Sequence, residues 1–137
     1  MNFKEECTEN TNRKKIVLQE NKMKFIFDNK NEVDVKIIKV DHCQMDEDEL
    51  KCDFMAISGE FEYYIELKGQ DIKHAVKQLE TTIRKLSSNF RKAKKKGFVI
   101  STKSPLASTQ IQKIAKRFKK EYNCIFIVKN IQWTEKI

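Results

Sequence analysis

Between residues 60 and 90 the sequence passes from a two-residue period to a helical one with almost nothing between. That limits the chain to folds in which a strand runs straight into a helix. Over residues 60–68 side chains alternate, with Tyr64, Glu66 and Lys68 on one face and Tyr63, Ile65 and Leu67 on the other. From Ile72 onward, Ile72, Ala75, Val76, Leu79, Ile83, Leu86 and Phe90 form one apolar stripe. Asp71, Gln78, Thr82 and Lys85 fall along one flank of that stripe, where they overhang a sheet edge. Ser58-Gly59 supplies a tight turn, so a strand over 51–57 forms a hairpin with 60–68.

The rest of the pattern fits around this unit. A short helix is expected within residues 3–10, then antiparallel strands over 14–20, 23–28 and 32–40, separated by Asx-rich breaks. The acidic run 41–50 lacks apolar periodicity and reads as a loop. The helix opening at Asp71 is expected to run on into the basic segment that Gly97 ends. After it come a buried strand (98–101), a second amphipathic helix (108–122), a strand (124–128) and a short edge segment (131–137). Two strands each preceded by a helix, after an antiparallel meander, predict a central mixed sheet of about five strands with helices on its faces. At 137 residues the chain suits a single domain, 1–137.

Charge narrows the function. With 28 Lys plus Arg against 20 Asp plus Glu, the formal charge is +8, which favours a polyanionic partner. No acidic residue occurs between Glu80 and Glu121, whereas Arg84, Lys85, Arg91, Lys92, Lys94, Lys95 and Lys96 all do, followed by Lys103 and the cations of 113–120. The first group reads as a phosphate-binding surface, and the second fits equally well as a solubilising helix face. No apolar run suits a signal peptide or a membrane span, so a cytoplasmic protein without membrane contact is expected. Cys7, Cys43, Cys52 and Cys124 are scattered without metal-ligand spacing, which predicts reduced thiols rather than a disulfide framework or a zinc site. His42 and His74 are too few for a histidine-based centre and read as surface residues. There is no glycine-rich nucleotide loop.

Phosphodiester hydrolysis needs a divalent cation, an activated water and positive charge beside the transition state. Asp53 and Glu66, on neighbouring strands, can supply carboxylates to Mg²⁺ or Mn²⁺, and Lys68 shares the Glu66 face. The run C-D-F-M-A-I at 52–57, followed by Y-Y-I-E-L-K-G at 63–69, resembles the D…(D/E)-x-K signature of the PD-(D/E)xK, or restriction-endonuclease-like, nuclease superfamily. The resemblance implies a three-layer α/β fold, its central mixed β-sheet flanked by α-helices, and a metal-dependent nuclease acting on nucleic acid, with DNA favoured. It implies Asp53, Glu66 and the Leu67 carbonyl as metal ligands, Lys68 as the catalytic lysine and Gln78 as a polar helix residue near the reaction centre. Cys52 stands where the signature often has proline, and Glu5, Glu6 and Glu20 are candidates for the N-terminal glutamate that many members add. With no separate specificity module in view, target choice would come from a homodimer or a protein partner. Against this stand an E-x-K that merely marks a solvated sheet face, and a catalytically silent nucleic-acid-binding or protein-interaction module of the same fold.

Overall fold

The computed structural model describes residues 2–67, 71–102 and 107–137. Lys68, and with it the proposed catalytic lysine, lies outside them, as does Lys103.

A mixed six-stranded sheet forms the middle of the molecule, in the order β1 (Thr8–Thr11), β4 (Val35–Lys39), β5 (Phe54–Ser58), β6 (Phe61–Glu66), β7 (Lys95–Ser101), β8 (Cys124–Asn130). The first four of these run antiparallel, and β6, β7 and β8 run parallel. The two parallel steps are made by the helices α1 (Ile72–Leu86) and α2 (Ser108–Tyr122). Alternation along the strands sorts the core into two. Tyr64, Met55, Ile38 and Val99 face the helices, where they meet Val76, Leu79, Ile83, Phe118 and Tyr122. Tyr63, Ile65, Ala56, Phe98 and Ile100 face the opposite way.

That opposite face is covered by a second sheet and not by helices, unlike the helix-flanked arrangement expected from the sequence. β2 (Lys15–Glu20) and β3 (Met23–Asp28) form a hairpin, and β9 (Gln132–Lys136) adds to β3 in parallel. Ile16, Leu18, Phe25 and Phe27 pack inward from this sheet, with Phe25 edge-on to Phe98 at 4.7 Å and Phe27 edge-on to Tyr63 at 5.1 Å. The strands expected at 14–20 and 23–28 therefore exist but leave the meander. The layers run helices, six-stranded sheet, three-stranded sheet.

Three local differences have clear causes. The helix stops at Leu86, before the basic segment, because the Glu62 carboxylate captures the next residues. It accepts hydrogen bonds from Ser87 Oγ (2.6 Å), Ser88 N (3.0 Å) and Ser88 Oγ (2.8 Å), and also from Tyr64 Oη (2.8 Å). The N-terminal helix shrinks to one 3-10 turn, Glu5–Cys7, followed by β1. Finally, Cys7 and Cys43 form a disulfide, contrary to the expectation of reduced thiols, while Cys52 and Cys124 are free and buried. Their 36-residue separation gave no local sign of the pairing. No helix among the described residues is long and apolar enough to cross a membrane.

Candidate functional site

Asp53 lies just before β5, where the hairpin ladder ends. Its N–H reaches the Ile65 carbonyl at 3.1 Å, one residue out of step with the Phe54–Ile65 pairing, as at a β-bulge. The break in alternation lets Cys52 enter the core facing the helices, while the Asp53 side chain lines a shallow cavity with Gln19, Glu20, Lys39, Asp41, His42 and Phe54. Asp53 is 4% exposed, and its Oδ2 accepts a 2.7 Å hydrogen bond from the Leu67 N–H. One carboxylate oxygen is thereby fixed against the backbone between Glu66 and Lys68.

Two further carboxylates meet Asp53. Ligand-capable oxygens of Glu20, Asp41 and Asp53 lie within 4.8 Å of one another. Glu20 ends β2 and so comes from the second sheet, and the left-handed Asn21 (φ 54°) turns the chain immediately after it. Asp41 belongs to a wide turn, Val40–Gln44, placed by the Val40 and Asp41 N–H groups donating to the Asp53 carbonyl at 3.0 and 3.3 Å. Glu66, at the end of β6, is 2% exposed and is not part of this trio. Burial, with the charges of Glu66 and Asp53 adding to it, pushes the Cys52 thiol well above its ordinary range. Cys52 is therefore a protonated packing residue and not a nucleophile.

Of the three N-terminal glutamates, Glu20 is the one at Asp53, whereas Glu5 and Glu6 sit on the 3-10 turn. Asp41 escaped the sequence reading altogether. It follows an apolar strand as many solvated turn residues do, and only the backbone contacts to Asp53 bring it in.

The polar flank of α1 grips the segment leading to Asp53. Gln78 Nε2 donates to the Lys51 carbonyl at 3.0 Å, the Cys52 N–H donates to Thr82 Oγ1 at 2.9 Å, and Lys85 pairs with Glu49. Lys51, 8% exposed, donates to the carbonyls of Glu47 and Glu49, each at 2.9 Å, and stands 3.8 Å from Asp41 Oδ1. The acidic loop is thus folded around a buried ammonium. His42 is exposed and beside Glu47, and His74 is exposed, its N–H donating to the Asp71 cap.

The basic stretch finds its counter-charges in space. Lys94 pairs with Glu60 at 3.0 Å, Lys96 with Glu135 at 2.6 Å, and Arg117 with Glu80 at 2.7 Å. Arg84 stacks on Phe90 and Tyr122, each 5.5 Å from the ring centre. Lys95 must be removed from the phosphate-binding set. It is 1% exposed, and its ammonium donates to the carbonyls of Ala93 (2.7 Å), Tyr122 (2.8 Å) and Asn89 (3.0 Å). Burial holds its pKa below the ordinary lysine value. Arg91 and Lys92 are exposed and make no ion pair among the described residues.

Comparison with protein-family models, with curated proteins and with solved structures finds no match.

Proposed function

We propose that the protein is a metal-dependent nuclease that hydrolyses phosphodiester bonds of nucleic acid, with DNA the favoured substrate, built on the D…E-x-K hairpin but with helices on only one face of its central sheet. The observation that carries this reading is the buried Asp53 carboxylate, fixed by the Leu67 N–H and met by Glu20 and Asp41 at the end of the hairpin that also bears Glu66. The order of hairpin, α1 and parallel β7 agrees with the D…E-x-K resemblance.

An all-oxygen donor set of this kind suits Mg²⁺ or Mn²⁺, which bind carboxylates while keeping several waters. Asp53 would be the central ligand, with Glu20 and Asp41 beside it; Glu66 and the Leu67 carbonyl enter only as ligands that the signature implies. A bound cation supplies Lewis-acid polarisation of the phosphoryl oxygen and lowers the pKa of a coordinated water. The protein's part is to hold these oxygens: the Leu67 N–H orients Asp53, and Gln78 and Thr82 fix the chain before it. Lys68 would offer an ammonium to the developing negative charge. Within the basic segment, Arg91 and Lys92 are exposed and make no ion pair among the described residues, which leaves them open to phosphates.

The test is cleavage of plasmid and oligonucleotide DNA and of RNA in Mg²⁺, Mn²⁺ or EDTA, with Asp53→Asn and Lys68→Ala alongside. Metal-dependent cleavage should fall at least about 100-fold in both variants. Cleavage that survives EDTA or both substitutions would sink the proposal. Mn²⁺ binding without cleavage would leave the catalytically silent module.

A further inference from the structure

The Cys7–Cys43 disulfide lies beside the carboxylate trio. Cys43 sits on the same turn, Val40–Gln44, that carries Asp41. That turn is held from two sides. On the inner side, Val40 and Asp41 donate to the Asp53 carbonyl. On the outer side the N-terminal segment holds it, through the Cys7–Cys43 bond and through Lys4, whose N–H donates to Gln44 Oε1 at 2.8 Å and whose ammonium donates to the Cys43 carbonyl at 3.2 Å. Between the two anchors His42 adopts φ 61°, ψ 17°, a left-handed conformation that a non-glycine residue occupies at a cost. The turn also closes on itself, the Met45 N–H donating to the Val40 carbonyl at 3.2 Å, and its shape rests on these anchors together.

The two half-cystines differ in access. Cys7 is 5% exposed, whereas Cys43 is half-buried and so the more accessible of the two. The free thiols cannot substitute for either. Cys52 and Cys124 are both buried, out of reach of a thiol in solution.

We propose that the Cys7–Cys43 bond is a thiol-exchange site for small thiols of the glutathione class, and that opening it releases the turn bearing Asp41 and disperses the carboxylate trio at Asp53. The exchange is balanced. A small-thiol thiolate attacks Cys43 Sγ, the S–S bond breaks, and Cys7 leaves as a thiolate and takes up a proton. A second small thiol then attacks the mixed disulfide, releasing Cys43 as a thiol and the reagent as its own disulfide. The protein gains two electrons and two protons, and the two small thiols lose them. The functional consequence rests on the metal reading above, whereas the exchange site and the release of the turn do not.

The experiment compares the full chain as oxidised and as reduced by dithiothreitol. It follows amide hydrogen exchange over residues 40–45 and 61–66, together with calorimetric Mn²⁺ titration. Reduction should speed exchange at least tenfold at 40–45, leave 61–66 protected and weaken Mn²⁺ binding about tenfold. Cys7→Ser/Cys43→Ser should match the reduced protein and ignore dithiothreitol. Unchanged exchange at 40–45 would overturn the proposal, as would equal loss of protection at 61–66, since the bond would then support the whole fold. Equal Mn²⁺ affinity in both forms would overturn the link to the carboxylates. If 40–45 loosens but neither form binds Mn²⁺, the exchange site stands and the metal reading falls.

Discussion

The side-chain amide of Gln78 donates to the carbonyl of Lys51 at 3.0 Å, tying α1 to the chain two residues before Asp53. Gln78 thus acts on the candidate site through the backbone and is a positioning residue. Gln78→Ala should weaken Mn²⁺ binding about tenfold, the lower end for residues that orient ligands, while costing about 1 kcal/mol of stability. Gln78→Glu, which keeps the length but loses the donor, should behave alike. Calorimetric titration beside urea unfolding checks this, and unchanged Mn²⁺ affinity in both variants would assign Gln78 a purely structural role.

Lys95 makes a prediction of the opposite kind. Its ammonium is enclosed by three carbonyl oxygens, those of Asn89, Ala93 and Tyr122. Lys95→Met removes their donor while filling much of the space, so stability should fall by about 2–4 kcal/mol, the cost of stranded buried acceptors. Affinity for DNA, measured at a temperature where the variant is folded, should not change. Weaker DNA binding at unaltered stability would return Lys95 to the surface.

Arg91 and Lys92 carry the electrostatic prediction. Each phosphate contact contributes about 0.9 to the slope of log K against log salt for duplex DNA. Arg91→Ala/Lys92→Ala should therefore flatten that slope by about 2. Lys94→Ala should scarcely alter it, because Lys94 is already paired with Glu60. Fluorescence anisotropy over a salt series separates the two, and equal slopes for all three proteins would move the binding surface elsewhere.

Glu80 joins the two helices by accepting from Arg117 Nη1 and Tyr122 Oη, each at 2.7 Å. Burial alone would raise its carboxyl, but these donors outweigh burial and hold it below the ordinary glutamate value. A carboxyl depressed in the folded state contributes fully above its unfolded pKa, about 4.3, and loses that contribution as pH falls through the folded value. Partial exposure limits the gain to about 1 kcal/mol. Glu80→Gln should accordingly be less stable than wild type at pH 6, and the gap should close by about pH 3. A gap that is constant with pH, in paired urea melts, would exclude the ionic contribution.

What could be read from the sequence was what nearest neighbours along the chain determine. Alternation placed β2 and β3 to within a residue, and the apolar stripe fixed where α1 begins. Neither could say which strand pairs with which. β3 joins β9 more than a hundred residues later, and that pairing, invisible locally, turns the expected meander into a second sheet. The same limit explains the site. Asp53 was legible through its hairpin and Glu20 was one of three candidates, but Asp41 enters through hydrogen bonds from its own turn to the Asp53 carbonyl. In the run Lys94-Lys95-Lys96 nothing distinguishes the middle residue until β7 is seen to start there and turn it under the end of α2.

Glu20 arrives on one sheet and Asp53 on the other, so their spacing records how the two sheets lie against each other. The aromatic contact of Phe25 with Phe98 helps set that alignment from the middle of the interface. A substitution there, remote from the carboxylates, would shift one layer against the other and retune the gap between Glu20 and Asp53, so that packing in the core and spacing at the rim would drift together.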